Sequence, residues 1–172
     1  MTKKILILLS ITAAAILSTG CQSMNSALAP GARVTSDEFD GSKIISQEPV
    51  GADTTIGWHT LFGFDWNSRT PDKVFLTVGV SGINNIFGLA FNVDGETITA
   101  QTASMTTEYG RPWSTRRFSV SYREFEAIAT ASLVKMKVSG ANSYQVTTFG
   151  SSVSAPVGTK LHEFLEQLRA SR

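Results

Sequence analysis

Between residues 43 and 149, apolar side chains recur mostly at every second position, the period of a strand with one buried face. A short strand is expected over residues 43–47, stopped by Pro49. A longer one is expected over residues 55–66, whose even positions put Trp58, Phe62, Phe64 and Trp66 on one face. Residues 67–72, Asn-Ser-Arg-Thr-Pro-Asp, read as a turn. The strand after it, residues 73–80, carries Val74, Leu76, Val78 and Val80 inward.

The sharpest local signal is a hairpin. Phe87, Leu89, Phe91 and Val93 alternate up to Asp94-Gly95, and Ile98 and Ala100 alternate away from it. Asp-Gly suits a type I′ turn, in which both central residues take positive φ. A two-residue loop then pairs Val93 with Glu96, Phe91 with Ile98 and Leu89 with Ala100, with the facing consistent along the ladder. Residues 108–114 read as a loop holding Tyr109, Arg111 and Trp113, followed by a short strand over residues 116–120.

The period then changes. Ser121-Tyr122-Arg123-Glu124 has capping-box spacing, and Tyr122, Phe125, Ile128 and Ala129 follow at helical spacing, so a short helix is expected over residues 122–131. Residues 133–139 return to strand, with Val134, Met136 and Val138 inward and Lys135 and Lys137 outward. A turn over residues 140–143 leads into a strand over residues 144–149. Val157, Leu161, Phe164, Leu165 and Leu168 trace one stripe of a C-terminal helix over residues 156–170. The expected fold class is α+β: a mostly antiparallel sheet with a short internal helix and a C-terminal amphipathic helix, the helices packed on one face. No internal repeat is present, and residues 34–172 read as a single globular domain.

The N-terminus follows another logic. Lys3 and Lys4 are followed by an apolar run over residues 5–17, then by Ser18-Thr19-Gly20 and Cys21. A positive start, a short apolar run and small residues before a cut make a secretory signal peptide. The run is shorter than the roughly 20 residues of a membrane-spanning helix. Leu17-Ser18-Thr19-Gly20-Cys21 resembles the lipobox of bacterial lipoprotein precursors, with its leucine one place further from the cysteine than usual. The resemblance covers residues 1–21 and implies cleavage after Gly20 and a diacylglyceryl group on the Cys21 thiol, with the bilayer as partner. It also implies an envelope address, periplasmic or cell-surface. Gln22, in place of Asp, implies the outer membrane rather than the inner. Two or three acyl chains hold a protein firmly where one alone is marginal. Residues 21–33 then read as the lipidated tether; the small, polar stretch with its Pro30-Gly31 break spans about 20 Å as a flexible chain.

Composition narrows the function classes. Removing residues 1–20 from 172 leaves 152, enough for one self-sufficient core. Lys3 and Lys4 leave with the signal, so 13 of the 15 basic side chains face 14 acidic ones, a net of −1. That balance offers no field for nucleic acid. Cys21 is the only cysteine, which removes disulfides, thiol catalysis and cysteine–metal sites from the domain.

Candidate chemistry is sparse. His59 and His162 stand outside any catalytic motif, and neither Gly79-Val80-Ser81-Gly82 nor Phe149-Gly150-Ser151-Ser152 matches the nucleophile elbow. No metal or phosphate motif is present, and no cofactor is expected. Trp66, Tyr109, Arg111 and Trp113, at a strand end or in a loop, are the candidate ligand-binding residues: rings and a guanidinium that stack on a sugar or a peptide. The expected function is a non-catalytic binding, adaptor or structural domain with an envelope protein or glycan as partner. The alternatives are a small envelope hydrolase, or an inhibitor or accessory subunit of a secreted enzyme.

Overall fold

The computed structural model describes residues 30–53, 59–110 and 112–172. The signal peptide, Cys21, most of the tether, Trp58 and Arg111 lie outside the described residues. Ala32–Arg172 forms one compact unit and is taken by itself.

All strand pairs are antiparallel, and they divide into two sheets rather than one. The larger holds β1 (Arg33–Ser36), β2 (Lys43–Gly51), β3 (Thr60–Asn67), β4 (Lys73–Ser81), β9 (Trp113–Ser121) and β7 (Gln101–Thr102) in that spatial order, with β8 (Glu108–Tyr109) also on β9. The smaller has the order β11 (Tyr144–Phe149), β10 (Val134–Gly140), β5 (Ile86–Val93), β6 (Glu96–Thr99). Helices α1 (Tyr122–Thr130) and α2 (Pro156–Ser171) complete the fold. No helix among the described residues is long and apolar enough to cross a membrane.

Two phenylalanines on β3 explain how the layers meet. Phe62 and Phe64 are two residues apart, so they share a face. Phe62 packs on the smaller sheet, 5.8 Å from Phe91 and 6.0 Å from Phe149 between ring centroids. Phe64 packs on the helices, 5.7 Å from Phe125 and 4.9 Å from Phe164. The inner face of the larger sheet is thus covered at one end by the smaller sheet and at the other by α1 and α2. The expectation of helices on one face of a single sheet missed this division. The alternation that makes a strand amphipathic does not say which strand it joins.

Local chemistry held where it was strong. Asp94 and Gly95 take φ of 46° and 105°, and β5 and β6 pair in the expected register from Val93↔Glu96 to Phe91↔Ile98. The Ser121 hydroxyl accepts from Glu124 N–H, and the Glu124 carboxylate accepts from Ser121 N–H, closing the capping box on α1. All five stripe residues of α2 are buried.

Three local expectations need correction. Phe87 is exposed, because a register shift between β10 and β5 pairs Gly140 with Ile86 and leaves Phe87 as the extra residue. Ile86 takes the core position instead. Pro49 does not stop β2; it sits in a bulge between Gln47 and Val50, where a proline without an N–H is tolerated. Gly63 makes room for it, since a Cβ there would stand 2.9 Å from the Pro49 ring and backbone. Residues 108–114 are not all loop: Glu108 and Tyr109 pair with Thr115 and Ser114.

A polar chain stitches the two sheets at the Asp53 end of β3. Gln145 Nε2 donates to Thr60 Oγ1 at 3.0 Å, the Thr60 and Thr147 hydroxyls are 2.9 Å apart, and Thr147 Oγ1 donates to Asp53 Oδ1 at 3.0 Å. Because the Thr147 proton goes to the carboxylate, Thr60 is the donor between the hydroxyls. Asp53 Oδ2 also accepts the backbone N–H groups of His59 and Thr60, at 2.7 and 2.8 Å. Thr60 and Thr147 are buried, so the chain satisfies groups that would otherwise be costly.

Candidate binding face

The ladder sorts the larger sheet's residues by face. Phe62, Phe64, Trp66, Leu76, Val78 and Phe118 point in and are buried. The alternate positions point away from the smaller sheet and the helices. Cross-strand register aligns Ser46, Asp65, Phe75 and Ser119 in one row, and Gly63, Thr77 and Arg117 in the next.

On this face Arg117 reaches from β9 across β4 to pair with Asp65 on β3. Its guanidinium carbon lies 4.3 Å from the Phe75 ring centroid, so the cation is held by a carboxylate and an aromatic face together. Beside the pair is a shallow hollow of about 530 Å³, bordered by Ser46, Glu48, Pro49, Asp65, Thr77 and Arg117. Burial pushes the Asp65 carboxyl above its ordinary range, and the opposing pull of Arg117 is smaller. The hollow therefore combines hydroxyls, a carboxylate that holds its proton unusually well and a guanidinium, with the Phe75 ring under the guanidinium just outside it. That set can hydrogen-bond and stack on a polar chain.

The residues expected to bind ligand are scattered. Trp66 is 1 % exposed, its indole N–H donating to Pro71 O at 3.1 Å; its ring is a wall of the core and does not face a ligand. Tyr109 is exposed and Trp113 half-buried, but Tyr109 pairs with Ser114, the neighbour of Trp113. Adjacent residues of a strand point to opposite faces, so the two rings do not make one platform. Trp113 lies on the outer face, paired with Ser81. Arg111 is outside the described residues. Asp65, Phe75 and Arg117 carry no motif. The inward run Val74, Leu76, Val78 and Val80 leaves Phe75 outward and the aromatic even positions leave Asp65 outward, but nothing in the sequence marked Arg117 as their partner, and 52 residues separate the ion pair's partners.

Two other places bring polar side chains or strained backbone together. Ser81 Oγ and His59 Nδ1 are 3.5 Å apart and exposed, at the outer limit of a hydrogen bond. The nearby Asp53 carboxylate is taken by two backbone N–H groups and Thr147. The Gly150–Ser152 turn is structural: Gly150 has φ 135°, a Cβ there would meet Ser132 O at 2.5 Å, and Ser152 Oγ donates to that same oxygen at 2.6 Å. Among the described residues no group of three or more His, Cys, Asp or Glu side chains is placed to hold a metal ion. No protein-family model matches the chain, and no curated protein sequence matches it.

Proposed function

We propose that this chain is an envelope lipoprotein whose α+β domain, carried on acyl chains at Cys21, is a non-catalytic binding module. Its outer sheet face receives a polar partner, a glycan or an extended segment of an envelope protein. The observation that carries the reading is the Asp65–Arg117 pair seated on Phe75 beside a hollow of about 530 Å³. A carboxylate kept in a partly desolvated place is a recurrent sign of a working surface. The expected outer-membrane address rests on Gly20-Cys21-Gln22.

The test of the face is nuclear magnetic resonance titration of the unlipidated domain with glycan fragments and peptides from the envelope. Shifts confined to residues around Ser46, Thr77 and Arg117, abolished by Arg117→Ala, are the expected result. Shifts centred elsewhere sink the assignment. The anchor is tested separately. Cys21→Ala should move the protein from the membrane to the soluble fraction, and mass spectrometry should find acylated Cys21 at the mature N-terminus.

A hydrolase reading has one observation in its favour, the approach of His59 to Ser81. Turnover of an envelope ester or amide that disappears in Ser81→Ala would favour it over the binding module.

A further inference from the structure

The smaller sheet has an outer face of different chemistry. On β10, Lys135 and Lys137 point outward and are exposed, and Leu133, just before the strand, is exposed too. On β11, Tyr144 and Val146 are exposed, and Val146 lies directly across from Lys137. The Lys137 ammonium is 4.6 Å from the centroid of the Tyr144 ring. The bulge adds Phe87, half of whose surface is exposed. The β5 and β6 positions on this face, Gly88, Ala90, Asn92, Thr97 and Thr99, carry no charge. The remaining positions, Ser139 and Thr148, are neutral too. The carboxylate at the Leu133 end, Asp94, is occupied by Ser132 and by the Leu133 N–H.

We infer that this face of the smaller sheet lies against an anionic lipid surface. Among the described residues the face carries two lysines, with one carboxylate, Asp94, beyond its Leu133 end, a balance that favours a negatively charged partner. A soluble polyanion would use the lysines, but it would gain nothing from Leu133, Val146 and Phe87. A bilayer interface uses both, with ammonium groups among the phosphates and the apolar side chains at the glycerol level. Lysine suits such a surface, because its long stem lies along apolar material while the head stays wet. The two lysines stand two residues apart on a strand, about 7 Å, and do not converge as a pocket for one anion would require. The layer order adds consistency: the smaller sheet packs on the inner face of the larger, so a bilayer under the one leaves the Asp65–Arg117 face free. None of this requires a lipid on Cys21.

The experiment uses a chain beginning at Gln22, without the acyl group. The buried hydrophobic residues of the described fold fall between Ile45 and Leu168, so this chain keeps the core. It is sedimented with vesicles of phosphatidylcholine alone, and of phosphatidylcholine mixed with phosphatidylglycerol. Binding to the mixed vesicles, weakened by salt and much lower on the neutral ones, is expected. Lys135→Gln with Lys137→Gln should lower the partition by about 30-fold. Val146→Ser should lower it by about fivefold. These positions are exposed, so both variants should keep the parent's melting profile. Failure of the parent chain to bind the mixed vesicles overturns the inference, as does binding that ignores the lysines. Equal binding to soluble polyglutamate, unmoved by Val146→Ser, assigns the face to a polyanion instead. A doubled mass without vesicles, lost in Val146→Ser, assigns it to a second copy of the chain. Each of these failures leaves the anchor and the Arg117 face to their own tests.

Discussion

The two outer sheet faces are built by the same alternation and end in opposite electrostatic states. Beside the hollow on the larger sheet, the exposed Arg117 is matched by Asp65 and rests on Phe75. On the smaller sheet, among the described residues, Lys135 and Lys137 pair with no carboxylate, and Lys137 lies against the Tyr144 ring. A paired charge with a hollow beside it is suited to a defined partner that slots among directed groups. Unpaired charges among exposed apolar side chains are suited to a surface that supplies the missing anions in bulk. Which strands neighbour one another decides between these outcomes, since Arg117 finds its acid on β3 only through the β3–β4–β9 ladder.

The largest test of the comparison removes what both faces share. Phe64→Ala opens the junction of the larger sheet with α1 and α2, and should destabilise the domain by about 3–5 kcal/mol in denaturant unfolding. Both faces should lose binding together in that variant. A smaller loss is expected from Thr147→Val, which interrupts the chain from Gln145 to Asp53 and leaves buried polar groups unmatched, at about 1–3 kcal/mol. If that variant separates the sheets' behaviour in hydrogen exchange, the two faces belong to units that can open independently.

The smallest effects are those of pH, and they have opposite signs on the two sheets. Asp65 on the larger sheet has its carboxyl raised by burial. The native state holds that proton more tightly than the unfolded chain does, so its contribution falls as pH rises from 3.8 through the folded value. Asp94, at the β5–β6 turn, is lowered by hydrogen bonds, first from the Ser132 hydroxyl and then from the Leu133 N–H. Its contribution is present above 3.8 and is lost as pH falls through the depressed folded value. In melts run from neutral to strongly acidic buffer, Asp94→Asn should flatten the low-pH decline. Asp65→Asn should remove a decline that sets in above 3.8. The same slope in both variants would contradict the contrast.

What could be read from the sequence was the chemistry that acts within a few residues. Asp94-Gly95 needs only its own backbone, the Ser121–Glu124 box only one turn, and the stripe from Val157 to Leu168 only one helix. Each appears in the structure as expected. The division into two sheets, the bulges at Phe87 and Pro49, and the meeting of Arg117 with Asp65 depend on strand partners far along the chain. Alternation sets a residue's face and is silent about its neighbours. Trp66 illustrates the limit: its place near a strand end suggested exposure, but the core extends to the end of β3 and Pro71 O receives its indole. Tyr109 and Trp113 were close in sequence, and the β8–β9 register turned them apart.

The pairing of Phe64 with Phe164 also bears on the order in which the chain is made. Phe64 is made before Phe164, and their rings are 4.9 Å apart. A nascent chain that has not yet emitted α2 has no cover for that end of the larger sheet. The domain therefore completes its core only after α2 has been made. A wall supplied after the sheets it covers keeps the domain from closing early without any dedicated device.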